Sequence, residues 1–406
     1  MRFKLTIIAA LLCSSLLALT PPTVYVANFT DDTVSAIDTT SNTVVSTLAV
    51  GSGPQFMAIT PDNQTLVVLN SSGNTASIID TASNAVLATI VLGAGGALNN
   101  IVISSDGVFA YIAGASSINV VNISTLSLTS TIAFPAALKD ALALSPDGNH
   151  LYAFGVNICY VVETAGNTIE TTIDLTTNDR PFSAVFKPDG SYIYVSTESN
   201  SVQVINASNN TLSSTISIIG TSAGLAITPD GSTLYTLNTS GNDTNISVIN
   251  TASQTVTETI ALSDGSSPQF ITITPDGAFA YLSLFSTDSV SVINTSTNTI
   301  VDSISVGSGP VGIVSTYLYP PQNVTGVQKT NNFGIASENF NRLTWTPSRS
   351  TITGYRVKRG NTLIATLSPD TLSFSDHNRP KGSTAYTVSA YNAAGNESFS
   401  VPLSVQ

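Results

Sequence analysis

Charged residues are scarce in this chain. Its 406 residues include 13 Lys and Arg against 25 Asp and Glu, a formal net charge of −12, and only 9% of them are charged. This scarcity disfavours long solvated helices, whose outer faces usually carry Glu, Lys and Arg. The 42% of hydrophobic residues argues against a disordered chain. Val, Ile, Thr and Tyr favour strands, so we expect an all-β protein of two or three domains.

Histidine and cysteine are also scarce. The histidines are His150 and His377, and the cysteines are Cys13 and Cys159. These few imidazole and thiol groups argue against zinc, copper and haem sites, and against a Ser-His-Asp triad. We therefore predict no catalytic triad, no metal site and no cofactor. We expect His150 in a surface turn and Cys159 as a small buried hydrophobe.

Only one long apolar run occurs. Leu5 to Leu19 spans 15 residues and follows the basic residues Arg2 and Lys4. The run is shorter than the roughly 18 residues of a membrane span, and its flanks are typical of a secretory signal. We expect residues 1–20 to be a signal peptide. The mature protein would be periplasmic, on the cell surface or secreted, without a transmembrane segment, and with Cys159 as its single cysteine.

A repeat of about 42 residues fills most of the remaining chain. One marker is a tight turn of the Pro-Asp-Gly type, whose Asp recurs at intervals of 41 to 46 residues: Asp62, Asp106, Asp147, Asp189, Asp230 and Asp276. A second marker is the polar end of a strand: Asp38, Asp80, Asn122, Glu163, Asn206, Asn250 and Asn294. Each unit contains four short strands joined by hairpin turns, which predicts one antiparallel sheet per unit.

The two ends of the repeat array complement each other. Residues 23–28 match the second strand of a unit, whereas residues 309–314 match a first strand that no Asp-Gly turn follows. We expect residues 310–316 to complete the sheet that residues 24–50 begin. This pairing closes a ring of seven sheets and removes the exposed edges. A solenoid shares the period, but it would need polar end units.

The repeats resemble a known family. Tyr25-Val26-Ala27-Asn28 and Tyr235-Thr236-Leu237-Asn238, together with the Val-Ile-Asp-type strand ends and the Pro-Asp-Gly turns, are similar to the signature of YVTN-type seven-bladed β-propellers. That family is also described as YncE-like or surface-layer-related. The resemblance covers residues 23–317 and implies a closed seven-bladed propeller that serves as an exported binding module.

A boundary follows at Pro320-Pro321. Residues 21–319 hold 3 basic and 21 acidic residues, a net charge of −18, whereas residues 320–406 hold 8 and 4, a net charge of +4. The alternating strands of 320–406 resemble a fibronectin type III sandwich; another small sandwich is the alternative. The resemblance implies a core position for Trp345, a corner position for Tyr386 and a last hairpin turn at 392–395. We hypothesise that the positive charge docks this segment on the acidic propeller or on an anionic envelope surface.

Candidate ligand-binding residues lie on the face where propellers of this kind usually meet ligands. This face carries the loops that lead into the innermost strands, such as 134–140 and 176–181, and the loops between second and third strands. Lys139 and Arg180 are two of only three basic residues in the propeller. We predict that they bind a carboxylate, phosphate or acidic sugar; pairing with Asp140 and Asp179 is the alternative.

Further polar candidates share that face. The predicted ligand-binding set adds the following residues to Lys139 and Arg180: Gln55, Gln269, Asp243 and Asp288. Carboxylates of its loops could bind calcium or act as acid and base, the alternative being solvated turn residues: Asp31, Asp32, Glu198, Asp243, Asp264 and Asp288.

These features predict an exported, non-catalytic binding or scaffold protein that presents the loop face to a protein, a peptide or a glycan. One alternative is a lactonase- or lyase-like enzyme that uses carboxylates at the channel mouth. Another is a structural cell-surface protein. The propeller charge of −18 and the lack of a basic, aromatic-rich stripe argue against extended nucleic-acid binding.

Overall fold

The computed structural model describes most of the chain beyond the predicted signal. The described residues are 23–92, 98–175, 179–240, 243–262, 265–316, 321–332, 337–348, 352–360, 362–380, 382–391, 398 and 401–405. They form strands and turns, with a single 3₁₀ turn at Phe285–Thr287. Within these ranges no helix has the length and apolar character needed to cross a membrane.

Seven four-stranded antiparallel sheets, called blades here, account for residues 23–315. From the axis outward, blade 1 contains β28 (Pro310–Ser315), β1 (Thr23–Asn28), β2 (Thr33–Asp38) and β3 (Thr43–Ala49). Blade 2 contains β4 (Pro54–Ile59), β5 (Thr65–Asn70), β6 (Thr75–Asp80) and β7 (Ala85–Val91). Blade 3 contains β8 (Asn100–Ile103), β9 (Phe109–Ala113), β10 (Ser117–Asn122) and β11 (Ser127–Ala133). Blades 4 and 5 consist of β12 (Leu138–Leu144), β13 (His150–Gly155), β14 (Ile158–Glu163), β15 (Thr168–Asp174); β16 (Pro181–Phe186), β17 (Tyr192–Thr197), β18 (Ser201–Asn206), β19 (Thr211–Ser217). Blades 6 and 7 consist of β20 (Thr221–Ile227), β21 (Thr233–Ser240), β22 (Asp243–Asn250), β23 (Thr255–Ala261); β24 (Pro268–Ile273), β25 (Phe279–Leu284), β26 (Ser289–Asn294), β27 (Thr299–Ser305).

The blades close into a seven-bladed propeller. Strand β28 pairs with β1, and its register sets Tyr25 opposite Val314 and Val26 opposite Ile313. The inner strands β4, β8, β12, β16, β20, β24 and β28 contact one another in sequence around the full circle. The predicted completion of the first blade by residues 310–316 is therefore confirmed. The seven predicted strand ends, from Asp38 to Asn294, are each the last residue of a third strand.

The Asp-Gly turns lie on one face, called the turn face here, between first and second strands. In the turn at Thr228 to Thr233, the Thr228 hydroxyl donates to Oδ1 of Asp230 (2.5 Å), which also accepts from the Ser232 amide (3.0 Å). Gly231 adopts a φ of +70°, a conformation that costs glycine little. The opposite face, called the lead-in face, carries the loops that lead into the inner strands.

Tyrosines on second strands join neighbouring blades. The buried Tyr281 of blade 7 donates its hydroxyl to Oδ1 of Asn42 in blade 1, at 2.7 Å. The same tyrosine–amide bridge occurs at three other seams: Tyr25 to Asn84 (3.0 Å), Tyr152 to Asn210 (2.8 Å) and Tyr235 to Asn298 (2.7 Å). The four asparagines have φ between 50° and 54°, which asparagine tolerates better than most residues. The bridge from Tyr281 joins the last blade to the first.

Beyond residue 321 the strands form two further sheets. One contains β29 (Gln322–Asn332), β30 (Ser337–Thr346) and β33 (Ser373–Asp376); the other contains β32 (Thr362–Leu367), β31 (Gly354–Arg359), β34 (Thr384–Tyr391) and β35 (Val401–Val405). Trp345 from the first sheet packs against Tyr355 from the second, with ring centroids 5.4 Å apart. The hydroxyl of Tyr386 donates to Asp376 (2.7 Å) and accepts from Asn341 (3.0 Å). The predicted turn at 392–395 lies outside the described residues.

Candidate ligand-binding site

The inner strands begin with irregular backbone on the lead-in face. The register with the second strand shifts at the start of β4, β12, β16, β20, β24 and β28. In β4 the extra residue is Gln55, between Pro54 and Phe56; in β16 it is Phe182. Bulges turn side chains away from the regular alternation and occur frequently beside binding sites. At the mouth of the propeller, six of the seven inner strands therefore begin with a bulge that changes the direction of their first side chains.

Arg180 and Asp140 form an ion pair at this mouth. Nη2 of Arg180 lies 2.7 Å from Oδ2 of Asp140, and the guanidinium lies over the ring of Phe182 at 5.1 Å from its centroid. The backbone of Asp140 is also held, because its carbonyl accepts from Nδ2 of Asn100 in blade 3. Of the two carboxylates weighed as partners, the structure pairs Arg180 with Asp140. Within the described residues only one of the five guanidinium N–H donors is used, and 46% of the Arg180 side chain is exposed.

Lys139 lies one residue from this ion pair, but not in a loop. It is the second residue of β12, which begins at Leu138, so the expected loop of 134–140 is shorter than predicted. The physical reason is the bulge of β12, which extends pairing with β13 from Leu142 back to Leu138. Lys139 is half-buried. Within the described ranges it forms no ion pair.

The two glutamines hold equivalent positions in blades 2 and 7. Each follows the proline that begins its inner strand, Pro54 for Gln55 and Pro268 for Gln269. Nε2 of Gln269 donates to the backbone carbonyl (3.3 Å) and the hydroxyl (3.2 Å) of Ser267. The Gln55 side chain is half-buried, and no hydrogen bond to it occurs among the described residues.

Three loop carboxylates of this face bind backbone amides of the lead-in loops, and two of them, Asp32 and Asp288, do so in the next blade. Oδ1 of Asp32 accepts from the Gly53 amide (2.7 Å), and Oδ1 of Asp288 accepts in the same way from the Gly309 amide (2.8 Å). Oδ2 of Asp31 accepts from the Ser308 amide (2.7 Å). Both loops that donate these amides read Gly-Ser-Gly-Pro, so the same contact occurs twice. These carboxylates are bound to backbone amides and are not simply solvated.

Asp243 and Asp264 are described less fully. The backbone of Asp243 belongs to β22, where it pairs with Ser240, so this residue lies on a strand and not in the predicted loop. Its side chain and the whole of Asp264 lie outside the described part of the chain. Across the ranges that the structure covers, no three His, Cys, Asp or Glu side chains converge on a position for a metal ion.

Close packing narrows the mouth on the side of blades 7, 1 and 2. At Gly312 of β28 a side chain would overlap the carbonyl oxygen of Gln55. The rings of Phe56 and Phe270 meet edge to face across this glycine, with centroids 5.7 Å apart. The ion pair of Arg180 belongs to blades 4 and 5 and therefore lies on a different part of the ring.

The turn face carries the remaining cation and histidine of the propeller. Nζ of Lys187 lies 2.7 Å from Oδ2 of Asp189, and Nε2 of His150 lies 3.3 Å from Oε2 of Glu170. Their predicted position opposite the lead-in face is correct, but His150 is the first residue of β13 and not a turn residue, because its backbone pairs with Glu163 of β14. Cys159 is fully buried in β14, and burial raises the pKa of its thiol well above the ordinary value. The thiol is therefore a core group and a poor nucleophile.

Sequence reasoning missed Phe182 and Asn100. Phe182 gives the Arg180 guanidinium a ring to lie on, and Asn100 holds the strand that carries Asp140. Phe182 was visible as an aromatic residue two positions after a rare arginine. Asn100 had no comparable signal, because its role depends on contact between two inner strands.

Comparisons with known proteins agree on the fold. A family model described as lactonase, 7-bladed beta-propeller, matches residues 141–301. No curated protein matches the chain. A functionally unknown protein from Desulfotomaculum acetoxidans is similar in structure, with a TM-score of 0.63 and 18% identity over 73% of this chain and 99% of that one.

Two enzymes are also similar in structure. Hydrazine synthase of Kuenenia stuttgartiensis has a TM-score of 0.59 and 21% identity, over 67% of this chain and 92% of that one. The dihydro-heme d1 dehydrogenase NirN, solved in complex with DHE, has a TM-score of 0.54 and 15% identity, over 72% and 74% of the two chains. At these identities the likeness concerns the propeller fold alone.

Proposed function

We propose that the protein is an exported binding or scaffold protein whose lead-in face binds an acidic group of a protein, peptide or glycan. The observation that carries this proposal is the ion pair of Arg180 and Asp140 on the Phe182 ring. The ring and the carboxylate fix the guanidinium in place, and nearly half of the side chain is exposed. An arginine held in this way loses little entropy when it binds a carboxylate or phosphate.

Other residues of the lead-in face support this proposal. Lys139 adds a second cation one residue from Asp140 in β12. The amides of Gln55 and Gln269 are the polar groups of the same bulged ring in blades 2 and 7. Amides, an aromatic ring and one arginine are typical of a surface that binds a polar ligand.

The finer assignments are parts of the same proposal. The YVTN-type signature supports placement in that propeller family, and residues 1–20 support export. The three- and four-stranded sheets after residue 321, with Trp345 and Tyr386 buried between them, support a fibronectin type III-like domain. Docking of that positively charged segment is supported by a groove of about 690 Å³, which Thr346 and Pro347 share with the turns around Asp147 and Asp189.

Binding can be tested on a glycan array and a library of short acidic peptides. We expect at least one acidic ligand to bind the mature chain, and Arg180→Ala and Lys139→Ala to weaken it about tenfold or more. Lys187→Ala is the matched control, because it removes a cation from the turn face. An equal loss with Lys187→Ala, or no loss with Arg180→Ala, would contradict the proposed site.

The family model that matches residues 141–301 favours one alternative, lactone hydrolysis or a lyase reaction at the same mouth. Asp140 is the carboxylate that lies beside the cations. The alternative predicts turnover on a panel of aliphatic and sugar lactones, and its loss in Asp140→Asn. Turnover that Asp140→Asn abolishes while acidic-ligand binding is absent would replace the binding proposal.

A further inference from the structure

On the turn face, the seam between blades 3 and 4 lacks the tyrosine–amide bridge that four other seams contain. Tyr111 and Asn167 occupy the places of a tyrosine–amide bridge, but no hydrogen bond joins these two described residues. Nδ2 of Asn167 donates to Oγ of Ser130 (3.4 Å). Oδ1 of Asn167 is shielded from solvent and has no hydrogen-bond partner among the described residues. An acceptor left in this state is destabilising.

The same seam also differs from four others in its Asp-Gly turn. At four other seams the proline of one turn packs against the glycine of the next: Pro61 on Gly107, Pro146 on Gly190, Pro188 on Gly231 and Pro229 on Gly277. At the seam of blades 3 and 4, Ser105 replaces this proline opposite Gly148. The Ser105 hydroxyl makes no hydrogen bond within the described chain. The shielded Asn167 oxygen and the Ser105 hydroxyl therefore lie at one seam.

A groove of about 530 Å³ opens at these residues. Its volume lies within the roughly 300–1,000 Å³ of small-molecule sites. Its lining is mostly hydroxyl and amide groups, with the aromatic residues Phe109 and Tyr111. Oδ1 of Asp106 is bound to Ser104 and to the Val108 amide, which leaves its Oδ2 as an acceptor.

The geometry points to this groove as a binding site for a neutral sugar residue. One sugar hydroxyl can donate to Oδ2 of Asp106, and a sugar oxygen can accept from the Tyr111 hydroxyl. The lining contains no Lys or Arg, and with Asp106 present it disfavours anionic ligands. The half-buried ring of Phe109 offers an apolar surface for the C–H face of the sugar ring. This site lies on the turn face and is separate from the mouth around Arg180.

The chain itself supplies a variant that closes the groove. At the seam of blades 2 and 3 the same two places hold Val67 and Leu126, which belong to one apolar cluster. The double change Tyr111→Val with Asn167→Leu copies that pair and is expected to fold. Ser105→Pro, which restores the turn of the other seams, is a second and milder variant.

Titration of the mature chain with glucose, galactose, mannose, N-acetylglucosamine and maltose tests the inference, by calorimetry and by saturation-transfer NMR. At least one sugar should bind, the double variant should weaken it tenfold or more, and Ser105→Pro should weaken it severalfold. Tyr235→Phe, at a bridged seam, should leave affinity unchanged. No binding by the unaltered chain, or equal binding by a folded double variant or by Ser105→Pro, would overturn the inference. Arg180→Ala separates this site from the mouth, since it should not affect sugar binding here.

Discussion

The bridge between Tyr281 and Asn42 closes the ring with side chains, and its removal gives a defined prediction. Tyr281→Phe deletes one hydroxyl of a buried ring and one hydrogen bond of 2.7 Å. A bond of this kind contributes about 1 kcal/mol to the free energy of unfolding. Asn42 is only half-buried, so water can reach the amide oxygen that loses its donor. We therefore expect a loss of about 1 kcal/mol and not the larger cost of a fully buried orphan.

A double-mutant cycle isolates this bond. Asn42→Gly removes the amide without strain, because glycine tolerates the φ of 51° at this position. It also removes the bond from Asn42 to Asp302 (3.0 Å), which cancels between the two arms of the cycle. We expect a coupling of about 1 kcal/mol between Tyr281 and Asn42. Tyr192→Phe, on a half-buried ring of β17, is the control and should stay within about 0.5 kcal/mol.

The chain provides separate probes for its two parts. Trp345 is the only tryptophan and reports on the C-terminal sheets, whereas the buried thiol of Cys159 reports on the propeller. Urea unfolding followed by pulsed labelling of Cys159, with circular dichroism in parallel, gives the free energy of the propeller. A coupling below about 0.3 kcal/mol would refute the bridge as a stabilising contact.

Three further predictions use the same assays. Cys159 should resist thiol reagents at pH 8 in a chain that begins at residue 21, and react once urea unfolds the propeller; rapid labelling of the native chain would contradict its burial. Gly312→Ala should destabilise the propeller by about 2 kcal/mol or more, because the new Cβ meets the backbone of Gln55. Gly73→Ala is the control and should have a small effect, because a Cβ there would make only ordinary contacts. The free energy of unfolding should be constant up to about pH 10 and fall between about pH 10 and 12. Each tyrosine whose pKa is higher in the folded than in the unfolded chain lowers it by about 1.4 kcal/mol per pH unit in that range. A flat profile in alkaline urea titrations would refute this. Burial raises the pKa to about 12 in four propeller tyrosines: Tyr25, Tyr152, Tyr194 and Tyr235.

Much of the fold could be predicted from the sequence because its signals are local. The Asp-Gly turns and the polar strand ends recur every 41 to 46 residues, and each depends on backbone conformation within a few residues. The pairing of β28 with β1 followed from matching two incomplete units. Strand starts were less predictable: Lys139 and Asp243 lie on strands, because bulges and a tight hairpin extend the pairing beyond the local pattern.

The candidate site was predictable only in part. Lys139 and Arg180 stood out because basic residues are rare in the propeller, and Asp140 was weighed as a partner. The ring of Phe182 beneath Arg180 was not foreseen. Asp32 and Asp288 bind amides of the next blade, and this role depends on how one blade's loop meets its neighbour's.

The sequence by itself determined the number of blades, the order of strands within each and the closure by the C-terminal end of the array, because hairpin chemistry and repetition act over short distances. Only the tertiary structure decided which side chains meet between blades. The tyrosine–amide bridges join residues 58 to 63 positions apart, or 239 apart at the closing seam. Whether Tyr111 and Asn167 form such a bridge is likewise decided by contact between two blades and not by local sequence.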